Sequence, residues 1–295
     1  MNQSVAIFGA TGAQGGPVVQ QALARGLTVR AIARNAGRIA ETHPGAEAFS
    51  ADLSNQDSVI RAFTGVDSAF IHLPIPSGPD EPAAWLGNVI AAAHASSLKL
   101  LVFSTGSIAG PRYASSIATD GNAAVTEALL ASGIPTIILQ PTIYLENLLP
   151  PIFLPRLRDE GVMDYPPVTP EQKIMWTSHH DQARVAAAAL TRPDLAGQQF
   201  ELGSPDALTG MELAQLLAGA LDRDVRFDPL LPDAFGDRAT ELFGNPGTGA
   251  MLADLYRGLN KLPDDGMDYD LQPLAETFGV ELTSVADHIA GWQMT

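Results

Sequence analysis

The stretch "VAIFGATGAQGGPVVQQAL", residues 5–23, decides the fold. An apolar strand runs into four glycines within eight residues, Gly9, Gly12, Gly15 and Gly16, and a proline follows at position 17. A packing surface has no use for so many missing side chains, so the turn serves a close approach to something else. Gly9 permits the sharp turn, Gly12 admits a pyrophosphate without a Cβ in the way, and Gly15 lets the helix pack closely on the strand. Pro17 fits the first helical turn, where no amide hydrogen is needed. The helix start offers free amides and a positive dipole end to phosphate. Thr11, Ala13 and Gln14, in the same loop, are expected to add backbone or side-chain contacts to a dinucleotide.

Outward from this turn the chain alternates. Residues 4–8, 27–34, 46–53, 66–74, 98–105 and 135–141 read as short apolar strands. Helical patterns lie between them: residues 17–25, a segment capped by Ser54 with Asp57 three residues on, 81–96, and 122–133. Such alternation predicts right-handed crossovers and a parallel sheet. With a glycine-rich first turn, the expected class is α/β, a doubly wound Rossmann sheet. After about Pro150 the alternation fails, and "PPIFLPRLRDEGVMDYPPVTP" reads as a connection or lid. Helical stretches follow at 181–190, 209–221 and near the C-terminus. The expected division is a dinucleotide-binding domain over 1–150 and a smaller substrate lobe over 151–295, with some segments returning to the sheet.

The end of the second strand selects the cofactor. An NAD site places Asp or Glu there for the ribose 2′-hydroxyl. This chain has "AIARN", with Arg34, Asn35 and nearby Arg38, and no carboxylate before Glu41. A guanidinium fork suits a 2′-phosphate, so NADP(H) is the expected cofactor; a merely solvated Arg34 is the alternative. Asp52, ending the third strand, either reaches the adenine amino group or caps the next helix.

Composition sets the outer bounds. The 295 residues are 46% hydrophobic and 17% charged, enough for a sizeable core. A formal net charge of −16 disfavours nucleic acid and anionic membrane as partners. With no cysteine, disulfides, thiolate metal sites and a Cys nucleophile are excluded. No signal-like opening or membrane-length apolar run occurs, so a cytoplasmic protein is expected, of undetermined oligomeric state.

"GATGAQGG", "AIARN", "ADLSN", "LVFSTGS" and "NAAVTEALLASGIPTIILQPTIYLENL" follow in the order that resembles the NmrA-like proteins, atypical short-chain dehydrogenases/reductases. The likeness is most specific in the opening turn and over 133–148, where the family usually has "G-x-x-x-T-x-L-R-P-x-x-x-M-E-N". Here Gln140 replaces the common Arg and Leu145 the Met. "HHDQARVAAAAL" is similar to the family's "D-I-A" helix start. The resemblance implies NADP(H) along the strand ends. It also implies either a reductase of quinone-, enone- or carbonyl-type acceptors or a cofactor-sensing regulator without chemistry.

The superfamily's proton donor is a Tyr four residues before a Lys. Here the residues four past the five tyrosines are Ile117, Leu148, Thr169, Asn260 and Pro273. Where related enzymes keep the lysine stands Asn122, expected to hydrogen-bond the cofactor ribose instead. Hydride transfer itself needs only orientation and exclusion of water. The remaining catalytic candidates are His72, Ser104 and Tyr144. His72 and Leu73, ending the fourth strand, are expected beside the nicotinamide half of the site, with His72 either a proton donor or a packing residue. Ser104 and Thr105 end the fifth strand, where they meet a substrate carbonyl or cap a turn. Tyr144 and Asn147 are expected to line the cleft. Residues 148–155, with Tyr165 and Trp176, wall an apolar pocket for an aromatic acceptor or pack the lobe onto the sheet. His179, His180 and Asp181 resemble a metal cluster, but adjacent residues on extended chain diverge, and Asp181 reads better as a helix cap. No metal site is expected.

Overall fold

The computed structural model describes residues 3–292 apart from 77, 79 and 150–153. In chain order the first half runs β1 Ser4–Phe8, α1 Gly15–Ala24, β2 Thr28–Ala33, α2 Gly37–Thr42, β3 Glu47–Ser50, α3 Gln56–Phe63, β4 Ser68–His72, α4 Glu81–Ser96, β5 Leu100–Ser104, α5 Ile117–Ala131 and β6 Thr136–Pro141. The second half runs β7 Ile143–Tyr144, a 3-10 turn Leu145–Leu148, α6 Leu157–Glu160, β8 Val162–Met163, β9 Ile174–Thr177, α7 His179–Ala189, β10 Gln199–Leu202 and β11 Ala207–Leu208. It ends with α8 Gly210–Leu221, β12 Arg226–Phe227, α9 Pro232–Phe243, α10 Pro246–Leu259, α11 Gln272–Phe278 and α12 Val285–Ala290.

The main sheet has the order β10-β6-β5-β4-β1-β2-β3, and every pairing in it is parallel. Its central strands β1, β4, β5 and β6 are buried almost along their length because helices cover both faces, whereas the edge strands β3 and β10 are more polar. On one face α1 and α7 bury Val18, Val19, Ala22, Ala183 and Ala186 against β1 and its neighbours. On the other, α3 and α4 bury Val59, Phe63 and Val89. The order reverses between β1 and β4, and a doubly wound sheet leaves a crevice at that switch point, outside the strands' carboxyl ends. β10, late in the chain, extends this sheet beside β6.

The lobe above those ends is built on β11-β9-β7, on the β12-β8 pair, and on a second core. Tyr165 and Trp176 are buried in that core, where Tyr165 packs on Phe235 with ring centroids 5.3 Å apart. Of the apolar wall expected from residues 148–155, positions 150–153 lie outside the described residues. No described helix is long and apolar enough to cross a membrane.

Several helix starts differ from the sequence reading, and α1 already begins at Gly15, two residues before Pro17. Asn55, not Ser54, caps α3, accepting from Ser58 N at 3.0 Å, while the Ser54 hydroxyl accepts from Trp85 Nε1 at 2.9 Å. α5 begins at Ile117, five residues early; the reciprocal Ser116–Thr119 capping box satisfies its first amides and outweighs Gly121, which costs roughly 1 kcal/mol inside a helix. Ser178 caps α7, so Asp181 sits within the first turn with its carboxylate free for other partners.

Candidate active site

The glycine turn is built as tightly as its composition suggests. Gly9 has φ +70°, in the left-handed region that glycine enters without strain. Gly12 N donates to Gly9 O at 2.8 Å and Gly16 N to Gly12 O at 3.0 Å. A Cβ at Gly15 would lie 2.4 Å from both Phe8 O and Gly9 O, so this glycine is what lets α1 meet β1. Thr11, Gly12 and Ala13 form an exposed tip, and no side chain caps α1 at Gln14. Gly9 has a second role that the sequence did not show. A Cβ there would lie 2.8 Å from His72 Nε2, so the bare position seats an imidazole as well as making the turn.

Arg34, just past β2, and Arg38, in the first turn of α2, are exposed, and among the described residues neither has an ion-pair partner. Arg30, four residues before Arg34, is by contrast tied to Glu47 at 3.0 Å. In a chain of net charge −16, two exposed guanidiniums without an ion-pair partner among the described residues are a local exception to the acidic composition. Asp52 does not cap α3, as Asn55 does; its Oδ1 accepts from Ser54 N at 2.8 Å in the turn before the helix.

At the carboxyl ends of β4 and β5, His72 and Ser104 are register neighbours. His72 Nδ1 lies 3.4 Å from Leu73 O, and its buried Nε2 has no hydrogen-bond partner. Burial pushes this imidazole below its ordinary pKa, with the Leu73 contact offsetting part of the shift. Ser104, fully buried, accepts from Gly106 N at 3.2 Å and donates to Gln182 Oε1 at 3.5 Å. Tyr144 OH donates to the same Gln182 oxygen at 2.6 Å. Burial drives the phenol far above its ordinary pKa, so it holds its proton. Gln182 Nε2 then reaches Gln14 Oε1 in the glycine loop at 3.4 Å. One fully buried amide on α7 thereby links three predicted residues from three elements.

The start of α7 adds a cluster that the sequence reading set aside. His179 lies against Tyr144 with ring centroids 4.4 Å apart. Its amide donates to Glu146 Oε1 at 2.8 Å, and its Nδ1 lies 3.4 Å from Glu146 Oε2. Burial, with neighbouring His72 adding, pushes the His179 imidazole down to about 4. Burial raises the Glu146 carboxyl, and backbone amides offset part of that. Asp181 instead holds the C-terminal segment, accepting from Thr283 N at 2.7 Å with His288 Nε2 at 3.4 Å. Burial pushes the Asp181 carboxyl up, but these partners outweigh it and hold it below its ordinary value. Among the described residues no group of three His, Asp or Glu side chains is placed to hold a metal ion.

Of the other candidates, Asn122 donates to Ser107 Oγ at 2.9 Å and Ile108 O at 3.1 Å, anchoring the loop after β5. Thr105 donates to Ser107 O at 2.6 Å, as a turn-capping residue does. Asn147 donates to Tyr165 OH at 3.0 Å. A separate cleft of about 690 Å³ opens between α5 and the β6–β10 edge, past Tyr113, Thr126 and Gln140, and no glycine-loop residue lines it. Gln182, Glu146 and His179 were missed as site residues. The signals were a glutamine in the middle position of "D-Q-A", where the resembled motif is apolar, and Glu146 at the Glu of "M-E-N".

The site can be set beside known proteins. The chain is 28% identical over 256 residues to the NAD(P)H azoreductase of Xenophilus azovorans, covering 81% of this chain and 86% of that one. It is 29% identical over 253 residues to a (4-alkanoyl-5-oxo-2,5-dihydrofuran-3-yl)methyl phosphate reductase of Streptomyces griseus, covering 86% of each. The fold matches that of an NADPH-dependent quinone oxidoreductase from Escherichia coli complexed with NADPH. That match has a TM-score of 0.80 at 24% identity, over 97% of this chain and 98% of the other. The NmrA-like family pattern matches residues 1–251, taking in the glycine turn, the arginine-bearing end of β2 and the first turn of α7, and the chain belongs to the NmrA-like family.

Proposed function

We propose that this protein is an NADPH-dependent reductase of a small conjugated or carbonyl acceptor of the quinone, enone or aldehyde type. The observation that carries this reading is the pairing of a glycine-rich turn before α1 with an exposed Arg34 just past β2 that has no ion-pair partner among the described residues. The cradle fits a dinucleotide: the exposed Thr11–Ala13 tip and the uncapped start of α1 suit a pyrophosphate, and the Arg34 fork suits a 2′-phosphate. Reductases among its relatives support the same chemistry.

When bound, NADPH supplies hydride. The chain's own part is binding, orientation and exclusion of water. Gln14 and Gln182 tie the cofactor loop to the Ser104–Tyr144 wall, so a bound cofactor meets an already ordered surface. Tyr144, with its proton committed to Gln182, orients rather than protonates.

Two measurements test the reading. Calorimetry should show saturable NADPH binding, and Arg34→Asp should cut NADPH affinity about 10- to 100-fold more than NADH affinity, as expected for a lost charge-assisted contact. Equal loss for both cofactors refutes the assignment. An NADPH-consumption screen across quinones, enones and aldehydes should then show turnover. Binding without turnover on any of them would identify a cofactor sensor instead.

A further inference from the structure

We propose that Glu146 and His179 act together as the proton source for the reduced acceptor, a role that rests on the reductase reading above. Neither Tyr-x-x-x-Lys nor any lysine is available at the site, and Tyr144 is committed to Gln182. Of the two imidazoles there, His72 has its Nε2 packed under Gly9, whereas His179 is held at its backbone by Glu146 Oε1 and at its ring by Tyr144. Its Nδ1 faces Glu146 Oε2, a buried oxygen with no hydrogen-bond partner, at 3.4 Å. Such contacts are commonly long before ligands bind and tighten in the reactive complex.

The groups facing His179 are Glu146 from the 3-10 turn, Tyr144 from β7 and His72 from β4. Asp181, two residues on, is already engaged by Thr283 and His288. Within this shell burial disfavours both a carboxylate and an imidazolium. In the proton-bearing state of this proposal the Glu146 carboxyl carries the proton facing Nδ1, which leaves Nε2–H as a donor.

The balance closes. Once hydride has reached the acceptor carbon, its oxygen carries a negative charge and needs one proton. His179 Nε2 gives that proton while the Glu146 proton passes to Nδ1. The pair is left as a carboxylate and a neutral Nδ1–H imidazole, and solvent returns one proton. No other oxidant or reductant is consumed.

The test has a readout independent of turnover. In the protein without cofactor, ¹⁵N-imidazole NMR should show His179 passing from the Nε2–H to the Nδ1–H tautomer as pH rises. Glu146→Gln, which keeps an acceptor for the His179 amide, should hold one tautomer across the same range. With an enone or aldehyde acceptor, kcat should fall as pH rises through that same midpoint. His179→Gln should lower kcat about 10²- to 10³-fold and abolish that limb, with NADPH binding unchanged by calorimetry. A wild-type His179 that keeps one tautomer, or a His179→Gln enzyme with full kcat and the same pH limb, overturns the proposal. Wild-type NADPH binding without turnover instead overturns the reductase reading beneath it.

Discussion

Two glycines three residues apart should respond to the same substitution in opposite ways. In Gly15→Ala the new methyl lies 2.4 Å from two backbone oxygens, Phe8 O and Gly9 O, and neither can rotate aside. Relief requires α1 to back away from β1 by about 1 Å, since carbon–oxygen contact needs roughly 3.2–3.4 Å. That motion loosens Val18, Val19 and Ala22, which are fully buried under the helix. A gap of that size forfeits a quarter to a half of each dispersion contact, and overpacking alone typically costs 1–3 kcal/mol, so the estimate is about 3 kcal/mol. For a chain of this size that corresponds to a fall in Tm of roughly 6–12 °C. In Gly12→Ala the methyl meets only Gly9 O, at 3.2 Å, on an exposed loop tip. Its stability should change by less than about 1 kcal/mol, while NADPH affinity drops roughly 10- to 100-fold because the Cβ enters the pyrophosphate approach. Differential scanning fluorimetry and calorimetry on the two variants read both quantities. If Gly15→Ala keeps the wild-type Tm, the argument from close helix–strand approach is wrong. If Gly12→Ala binds NADPH normally, the loop does not serve a pyrophosphate.

Two further outcomes follow from the polar cluster. Gln182→Leu removes the acceptor of Tyr144 OH and the partner of Gln14 Oε1 from a fully buried position. It should cost about 2–4 kcal/mol in urea unfolding, and an unchanged midpoint would show that the amide is dispensable. The lowered His179 pKa sets a pH effect whose sign is definite. A folded-state pKa of about 4 against an ordinary 6.5 means that the neutral imidazole contributes stability at pH 7 that is lost as pH falls from 6.5 toward 4. The amount is about 3 kcal/mol, partly opposed by Glu146, whose raised carboxyl favours folding at lower pH. His179→Gln should therefore lose less stability than wild type between pH 7 and pH 4.5, and equal losses would contradict the burial argument.

The local chemistry of the chain was enough to specify the Rossmann half. The strand–glycine–helix turn, the buried five-residue strands and the absence of a carboxylate beside Arg34 are all features of neighbouring residues. Steric rules and helix-terminus electrostatics act over that same short range. Helix starts were less legible because capping is a competition: Trp85 engages the Ser54 hydroxyl and Asn55 caps instead, and Ser178 pre-empts Asp181. Gln14, Ser104 and Tyr144 were legible as candidates, but the links that join them were not. Gln182 lies 168 residues from Gln14 and 38 from Tyr144, and Glu146 lies 33 from His179. In one dimension, His179 and Asp181 looked like a single cluster near the start of a helix. Only folding assigns them separate work, His179 turned to Glu146 beside Tyr144 and Asp181 turned to Thr283. Burial shifts pKa values through the low dielectric of a packed interior, and that interior exists only after α7 has been laid against α1 and the lobe has closed over the sheet.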